Sequence, residues 1–435
     1  MVVVKPTETP EDNPVSERLW SYKAFTFYWY GRVAATAGNQ ILALWISWRI
    51  YDLTGSAWLL GMAGLIQFLP SLVFFLFAGD LADRKDRRLI LVVVMVLQVL
   101  LTGTLLAAET FNTMSSSLLL GLCVVVGILR PFQLSSQQSL PPRLVPSHLL
   151  PRAMALSSAG SQGMFIAGPA IAGLLLIWGS SQVLLLGMSM FASASFLYWR
   201  VRYDFIRPAN RKRSLKEMLS GFAFVRAHPS ILGSITLDLF VVMLGGVTAL
   251  LPIYAKDVLE VDTWGLGLMR GAPAIGALIL SLVLARWTIR QHVGRYMFVS
   301  VGIYAGALLV FGLSHSLLLS VFALAVSGAA DMVSVVIRQS LVQLDTPDAM
   351  RGKVSAINSV FIGGSNQLGE FRAGISAHWM GAAGAVTIGA IGSLVVAGLW
   401  IRWFPQLWHR QTLSGGHAIL TAHSSSRAPS RKSQP

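Results

Sequence analysis

Ala57 to Ala78 and Leu89 to Ala108 are uninterrupted apolar runs, and the ten residues between them, Gly79 to Arg88, carry four cations and three acids. A helix rises ~1.5 Å per residue, so each run is long enough to cross a bilayer core of roughly 30 Å. The runs form a helical hairpin, and the charged decapeptide is its short loop on one membrane face. Arg84, Lys85, Arg87 and Arg88 place that loop in the cytoplasm by the positive-inside rule, which orients the rest of the chain.

Apolar runs of this kind recur along the sequence. They cover Ala24 to Trp48, Ala57 to Ala78, Leu89 to Ala108, Ser115 to Ser139, Ala153 to Trp178 and Val183 to Val201 in the first half. In the second half they cover Ile231 to Tyr254, Trp264 to Ala285, Tyr296 to Leu313, Leu317 to Val342, Val354 to Trp379 and Gly381 to Phe404. This predicts twelve spans, numbered 1 to 12 below. Of the 34 lysines and arginines, 27 fall in the tails and alternate loops that this threading puts in the cytoplasm. The other seven are Arg32, Arg49, Arg130, Lys256, Arg270, Arg338 and Arg372, and of these only Lys256 lies in an outer loop. With 12% charged residues and a mean hydropathy of +0.62, the 435-residue chain is an integral membrane protein. Its net charge of +15 does not point to nucleic acid, because the cations lie in loops on one side. The single cysteine, Cys123, excludes a disulfide framework and a cysteine metal site. Met1 to Arg18 has prolines and acids but no apolar core with a cleavage site, so the first span inserts uncleaved.

The two halves repeat. Adding 201 to positions in Gln138 to Gly173 pairs Gln138 with Gln339, Pro146 with Pro347, Gly163 with Gly364, Gly168 with Gly369 and Gly173 with Gly374. Upstream the offset is 206, pairing Trp58 with Trp264 and Gly61 with Gly267. Spans 4 and 5 thus recur as 10 and 11, and spans 1 and 2 as 7 and 8. The expected organisation is a cytoplasmic segment over 1–23, a six-helix bundle over 24–201, a basic cytoplasmic linker over 202–229, a second bundle over 230–404 and a disordered cytoplasmic tail over 405–435. The linker holds Arg207, Arg211, Lys212, Arg213 and Lys216, which also reads as a solvated, lipid-facing stretch. Six-helix repeats about an axis along the membrane normal are the build of facilitator-type secondary transporters, with substrate carried between the halves.

Gly79, Leu81, Ala82, Asp83, Arg84, Arg87 and Arg88 resemble the signature loop between helices 2 and 3 of the major facilitator superfamily, with Asp86 in place of its second glycine. The runs GNQ at Gly38 to Gln40, YDLTGSAW at Tyr51 to Trp58, QFLP at Gln67 to Pro70 and TPDAMRGKVSAINSVFIGGSNQLGEF at Thr346 to Phe371 resemble the branch that includes the enterobactin exporter. Arg372 stands where that branch is expected to carry an acid. The resemblance implies an all-α polytopic fold of twelve helices in two pseudo-symmetric bundles. It also implies a gating loop of Gly79, Asp83, Arg84, Arg87 and Arg88, with Asp83 latched to the start of span 11 near Gly352 and Lys353. Gly160, Gly168, Pro169 and Gly173 in span 5 resemble the motif of proton antiporters; they also fit plain small-residue packing.

Charges inside a membrane cost roughly 2.5 to 3.5 kcal/mol at a helix centre and call for partners or a water-filled cavity. Arg130 and Asp331 are equivalent under the 201 offset, and Arg32 and Asp238 under the 206 offset. In the superfamily spans 1, 4, 7 and 10 line the cavity, so the expectation is two opposite-charge pairs across it, with pairing inside each half as the alternative. Glu370, about 17 residues into span 11, leads the proton-coupling candidates, with Asp238 and Asp331 behind it. Arg32, Asn39, Gln40, Trp45, Arg130, Gln133 and Gln137 are candidate cavity residues. There is no phosphate-cradling loop and no metal-ligand spacing, so neither a cofactor, nor a metal, nor ATP is expected, and the chain is not read as an enzyme. The reading is a bacterial inner-membrane transporter with both termini cytoplasmic, exporting a small amphipathic molecule such as a siderophore or drug against protons. An importer or uniporter of a polar metabolite, and a non-transporting sensor or scaffold, are the alternatives.

Overall fold

The computed structural model describes residues 19–203, 215–287, 289 and 291–412, all of it helices and their connections. Met1 to Arg18, the linker cations Arg207 to Arg213 and the tail beyond 412 lie outside the described residues. Ten stretches are long and apolar enough to cross a membrane. The last of them, Lys353–Trp403, is double, and the helix Lys23–Thr54, too polar to count by hydropathy alone, is the remaining crossing. Twelve spans result, in two six-helix bundles.

The packing has the twofold logic of the repeat. In the first bundle span 1 packs on 5 and 6, span 2 on 4, and span 3 on 4 and 6; in the second, span 7 packs on 11 and 12, span 8 on 10, and span 9 on 10 and 12. The bundles meet along two seams, span 2 against span 11 and span 5 against span 8. Each seam is set by paired glycines. A Cβ built on Gly374 would lie 2.5 Å from Gly61 Cα and 2.7 Å from the Ala57 carbonyl oxygen; one built on Gly173 would lie 2.9 Å from Gly267 Cα and 2.6 Å from the Thr263 carbonyl oxygen. Without side chains between them, the backbones approach closely enough for dispersion contact along the whole crossing.

Three departures from the expected layout have local causes. The Gly79 to Arg88 stretch is not a long loop: span 2 stays helical over Ala57–Arg84 and span 3 starts at Arg87, leaving two residues between them. Asp86, the residue in the place of the motif's second glycine, makes this short turn possible. Its carboxylate caps span 3 by accepting from the Arg88 amide at 2.9 Å and also accepts the Tyr203 hydroxyl at 2.8 Å. Burial, together with that carboxylate, pushes the Tyr203 phenol up to about 12, so it keeps its proton and the bond. Spans 11 and 12 are two helices that follow each other within Asp348–Trp403 without a loop, the chain leaving helical geometry only at Gly381, whose φ of 76° suits glycine.

Span 7 breaks. Its helix ends at Gly245, and the chain goes on through a 3-10 turn Thr248–Leu250 and a π turn Tyr254–Val258. A break inside the membrane strands carbonyls, and Arg372 from span 11 satisfies them. Its guanidinium donates to the carbonyls of Met243 at 3.3 Å, Leu244, Gly246 at 3.4 Å and, on span 12, Ala385 at 3.1 Å.

Arg372→Leu leaves those carbonyls without a donor, at about 1–3 kcal/mol for each one fully desolvated, and should lower the melting temperature of the purified protein while Arg372→Lys falls between it and the parent. Equal melting temperatures would contradict the capping role. Gly374→Leu wedges the span 2 and 11 seam apart. A Ser47→Cys reporter in a Cys123→Ser background should then react severalfold faster with a water-soluble maleimide than the same reporter without the wedge.

Candidate transport site

The bundle has two chemically distinct ends. The turn between spans 2 and 3 and the ends of spans 4 and 6 lie together at the basic end. There Arg87 donates to the Ala82 carbonyl at 2.9 Å and to Ser139 at the end of span 4 at 3.3 Å, and Arg88 donates to Val201 at the end of span 6 at 3.1 Å. The signature loop thus ties together the basic ends of spans 2, 4 and 6. Arg84 pairs with Asp80 at 2.9 Å and Asp83 with Arg87 at 3.6 Å.

At the far end the two halves are bonded to each other. The Tyr51 hydroxyl donates to Asp257, Lys256 pairs with Asp52 at 2.9 Å, and Arg270 donates to Ser47 at 2.9 Å. Thr263 donates to the Gly173 carbonyl at 3.0 Å. Asp52 is also held by Arg49 at 3.0 Å, which reaches Glu109 at 3.1 Å, and Lys256 lies 5.9 Å above the Trp48 ring. These bonds, with the glycine seams beside them, seal the far end.

From the basic end a polar stripe climbs span 11 through Ser355, Ser359, Gly363 and Asn366, all exposed, to Glu370, which is half-buried. The steps of three and four residues keep these positions on one helix face. Glu370 lies against span 2, with its Oε2 3.2 Å from where a Cβ on Gly64 would sit. Two cations act on it: Arg130 of span 4, from the opposite half, and Arg270 of span 8. Arg130 is exposed although it stands about 21 Å into its helix. Among the described residues neither Arg130 nor Glu370 makes a hydrogen bond or a direct ion pair.

Arg130 and Asp331, expected to pair when the halves close at the basic end in the outward-facing state, are apart in this conformation, and Arg32 and Asp238 do not pair. Asp238 is bound to Arg338 at 2.6 Å, both buried inside the second bundle. Asp331 and Asp238 face a cavity of about 10 Å³, room for one water, with Ser300, Tyr304 and Ser334. Arg32 donates to Ser161 at 3.0 Å and to the Tyr28 hydroxyl at 3.1 Å inside the first bundle. Equal depth does not bring these charges together, because the rotation of each helix sends its side chain to a different neighbour. The missing partner had a signal: Asp331, Ser334 and Arg338 share a face of span 10 at i, i+3 and i+7.

The other cavity candidates divide. Asn39 donates to Gln133 at 3.2 Å and Gln40 packs on Gly168, a half-buried polar patch beside the span 5 motif. Gly160 is packed under Trp29 and Val33. Trp45 is fully buried in the core of the first bundle. Gln137 is buried as well, donating to the Tyr198 hydroxyl at 3.0 Å while its carbonyl accepts Tyr28 at 2.6 Å, so it fastens spans 1, 4 and 6 rather than facing a cavity. Among the described residues no group of side chains could hold a metal ion.

Comparison with known proteins agrees with this architecture. The chain matches the transmembrane secretion effector family over residues 19–413. It is 25% identical over 422 residues to the enterobactin exporter EntS of Escherichia coli O157:H7 (strain EC4115 / EHEC), covering 92% of this chain and 97% of that protein. It is 26% identical over 274 residues to macrolide efflux protein A of Streptococcus pyogenes, a match that covers 61% of this chain and 66% of that protein's length. The fold superposes on a bacterial homologue of the iron transporter ferroportin in its inward-facing state with a TM-score of 0.67 at 16% identity, over 89% of this chain and 99% of that one; against the outward-facing state the TM-score is 0.56. The chain therefore belongs to the transmembrane secretion effector family, multi-pass membrane transporters of the major facilitator superfamily.

Proposed function

We propose that this transporter is a proton-coupled exporter of a small amphipathic molecule, a siderophore or drug, in the bacterial inner membrane. The bundles over 24–201 and 230–404 rock about the two seams, joined by the linker 202–229, with the basic end, both termini and the tail 405–435 in the cytoplasm. The sealed far end is then the outer gate, and the conformation is the one that loads from inside. The names of its relatives, an enterobactin exporter and a macrolide efflux protein, support export and the cargo class.

One observation carries proton coupling: inside the membrane Asp238 and Asp331 share a single arginine, Arg338. The three groups sum to one negative charge, and one proton brings them to neutrality in a place where charge is costly. Arg338 holds Asp238, so Asp331 is the carboxylate left to take and release that proton beside the water-sized cavity. Glu370 has the opposite surroundings: two arginines compensate it with no proton needed.

In proteoliposomes with an imposed pH gradient and a panel of macrolides and siderophores, Asp331→Asn should make efflux independent of the gradient while downhill counterflow persists. Glu370→Gln should keep the gradient dependence. The reverse pattern moves the coupling to Glu370, and the absence of flux for every member of the panel favours a scaffold. The latch of Asp83 to the start of span 11 belongs to the same reading. Asp83→Asn should slow transport at matched protein level, and an unaltered rate rules the latch out.

A further inference from the structure

We infer that the transported molecule carries an anionic group, gripped by Arg130 and Arg270 beneath the outer gate, and that Glu370 fills its place in the empty site. The inference rests on the transport reading and names its substrate class.

Three charges act on one another where the two halves join: Arg130 from span 4 and Arg270 from span 8 each act on Glu370 of span 11, a net charge of plus one. Arg130 has no hydrogen-bond or ion-pair partner among the described residues, yet the residue is exposed although it stands about 21 Å into its helix. A cation left so in a membrane protein faces water or a ligand, and the exposed polar stripe of span 11 supplies the route for both. Arg270 has one bond, to Ser47 across the seam, which leaves the rest of its donor fork unoccupied. Two guanidinium groups, one from each half and both acting on Glu370, suit a carboxylate, sulfonate or phosphate, whose oxygens accept paired N–H bonds. A cationic substrate would meet two like charges for a single acid.

Glu370 is within the field of both arginines but bonded to neither. It balances the empty site without closing it, so an incoming anion competes with a carboxylate that is near but not locked. The carboxylates of the second bundle do not disturb this count, because Asp238 is spent on Arg338 and Asp331 faces the separate cavity between spans 7, 9 and 10. Arg270 also ties the substrate to the gate. An anion that draws its guanidinium inward takes it away from Ser47, removing one of the bonds that hold the outer end shut.

The test uses three probes with one apolar body and different charge: naphthalene-2-sulfonate, 2-naphthylmethylammonium and 2-naphthol. Binding to the purified full-length transporter is followed by tryptophan fluorescence, with no gradient present, so the outcome is independent of whether protons drive transport. The sulfonate should bind about tenfold or more tightly than the other two, a difference of about 1.4 kcal/mol. Arg130→Gln and Arg270→Gln should each erase the preference and Arg130→Lys should keep part of it, at melting temperatures matching the parent. Glu370→Gln should strengthen sulfonate binding, since it removes the competitor, whereas a merely structural role for Glu370 would weaken it. Tighter or equal binding of the ammonium probe, loss of sulfonate affinity in Glu370→Gln, or no binding of any of the three overturns the inference.

Discussion

Two backbone crossings hold this molecule together as a pair of halves: Gly61 against Gly374 and Gly173 against Gly267. Lipid offers no hydrophobic drive for helices to associate, so the halves must attract through close packing, and only glycine brings the backbones near enough. These are also the places where the halves are free to turn. A crossing centred on glycine backbone draws its strength from many weak contacts that tilt can redistribute. The polar bonds of the far end sit beside the crossings and decide which tilt is favoured. Tyr51, Asp52, Lys256, Asp257 and the Arg270–Ser47 pair are therefore cheap to break one at a time yet effective together, as a gate requires.

The same solvent forces an account of every charge. Arg372 is consumed by the broken end of span 7, whose carbonyls would otherwise face hydrocarbon or each other. Arg338 is consumed by Asp238. Breaking such a buried pair costs about 3–5 kcal/mol, which makes it a fixed part of the bundle rather than a ligand contact. Once these are set aside, the charges within the spans that have no bonded partner among the described residues are Asp331 in its small cavity, and Arg130 with Glu370 at the seam. Function is sought where the membrane's demand for compensation is left unmet.

The fold was legible in the sequence because lipid imposes length and polarity on every span, and the internal offsets of 201 and 206 exposed the two halves. Those offsets even marked the pivots. Gly61 and Gly267 form one repeat pair, Gly173 and Gly374 the other, and in the structure each crossing takes one member from each. What the sequence could not show was the rotation of each helix about its own axis. Arg130 and Asp331 share a depth but not a direction, and Trp45 and Gln137 turn into the first bundle instead of toward the seam. Asp86 and Arg372 were visible as departures from a family pattern, but their reasons are tertiary: a cap that needs Tyr203, and a broken helix that needs a donor.

Arg270 joins the two regions that a transporter has to keep in step. It is the group that reaches Ser47 across the closed end, and it is also one of the two cations acting on Glu370 below. A side chain with five donors can divide them between two acceptors, but an added acceptor at the seam changes the division. Whatever occupies the site therefore alters the bond that closes the gate, with no need for a longer chain of moving parts. Because the two glycine crossings flank this arginine, a small change in its allegiance is applied at the pivot. In the proposed rocking this is read out as tilt of one whole half against the other, while the interior of each bundle, fastened by Gln137 in one and Arg338 in the other, would move as a unit.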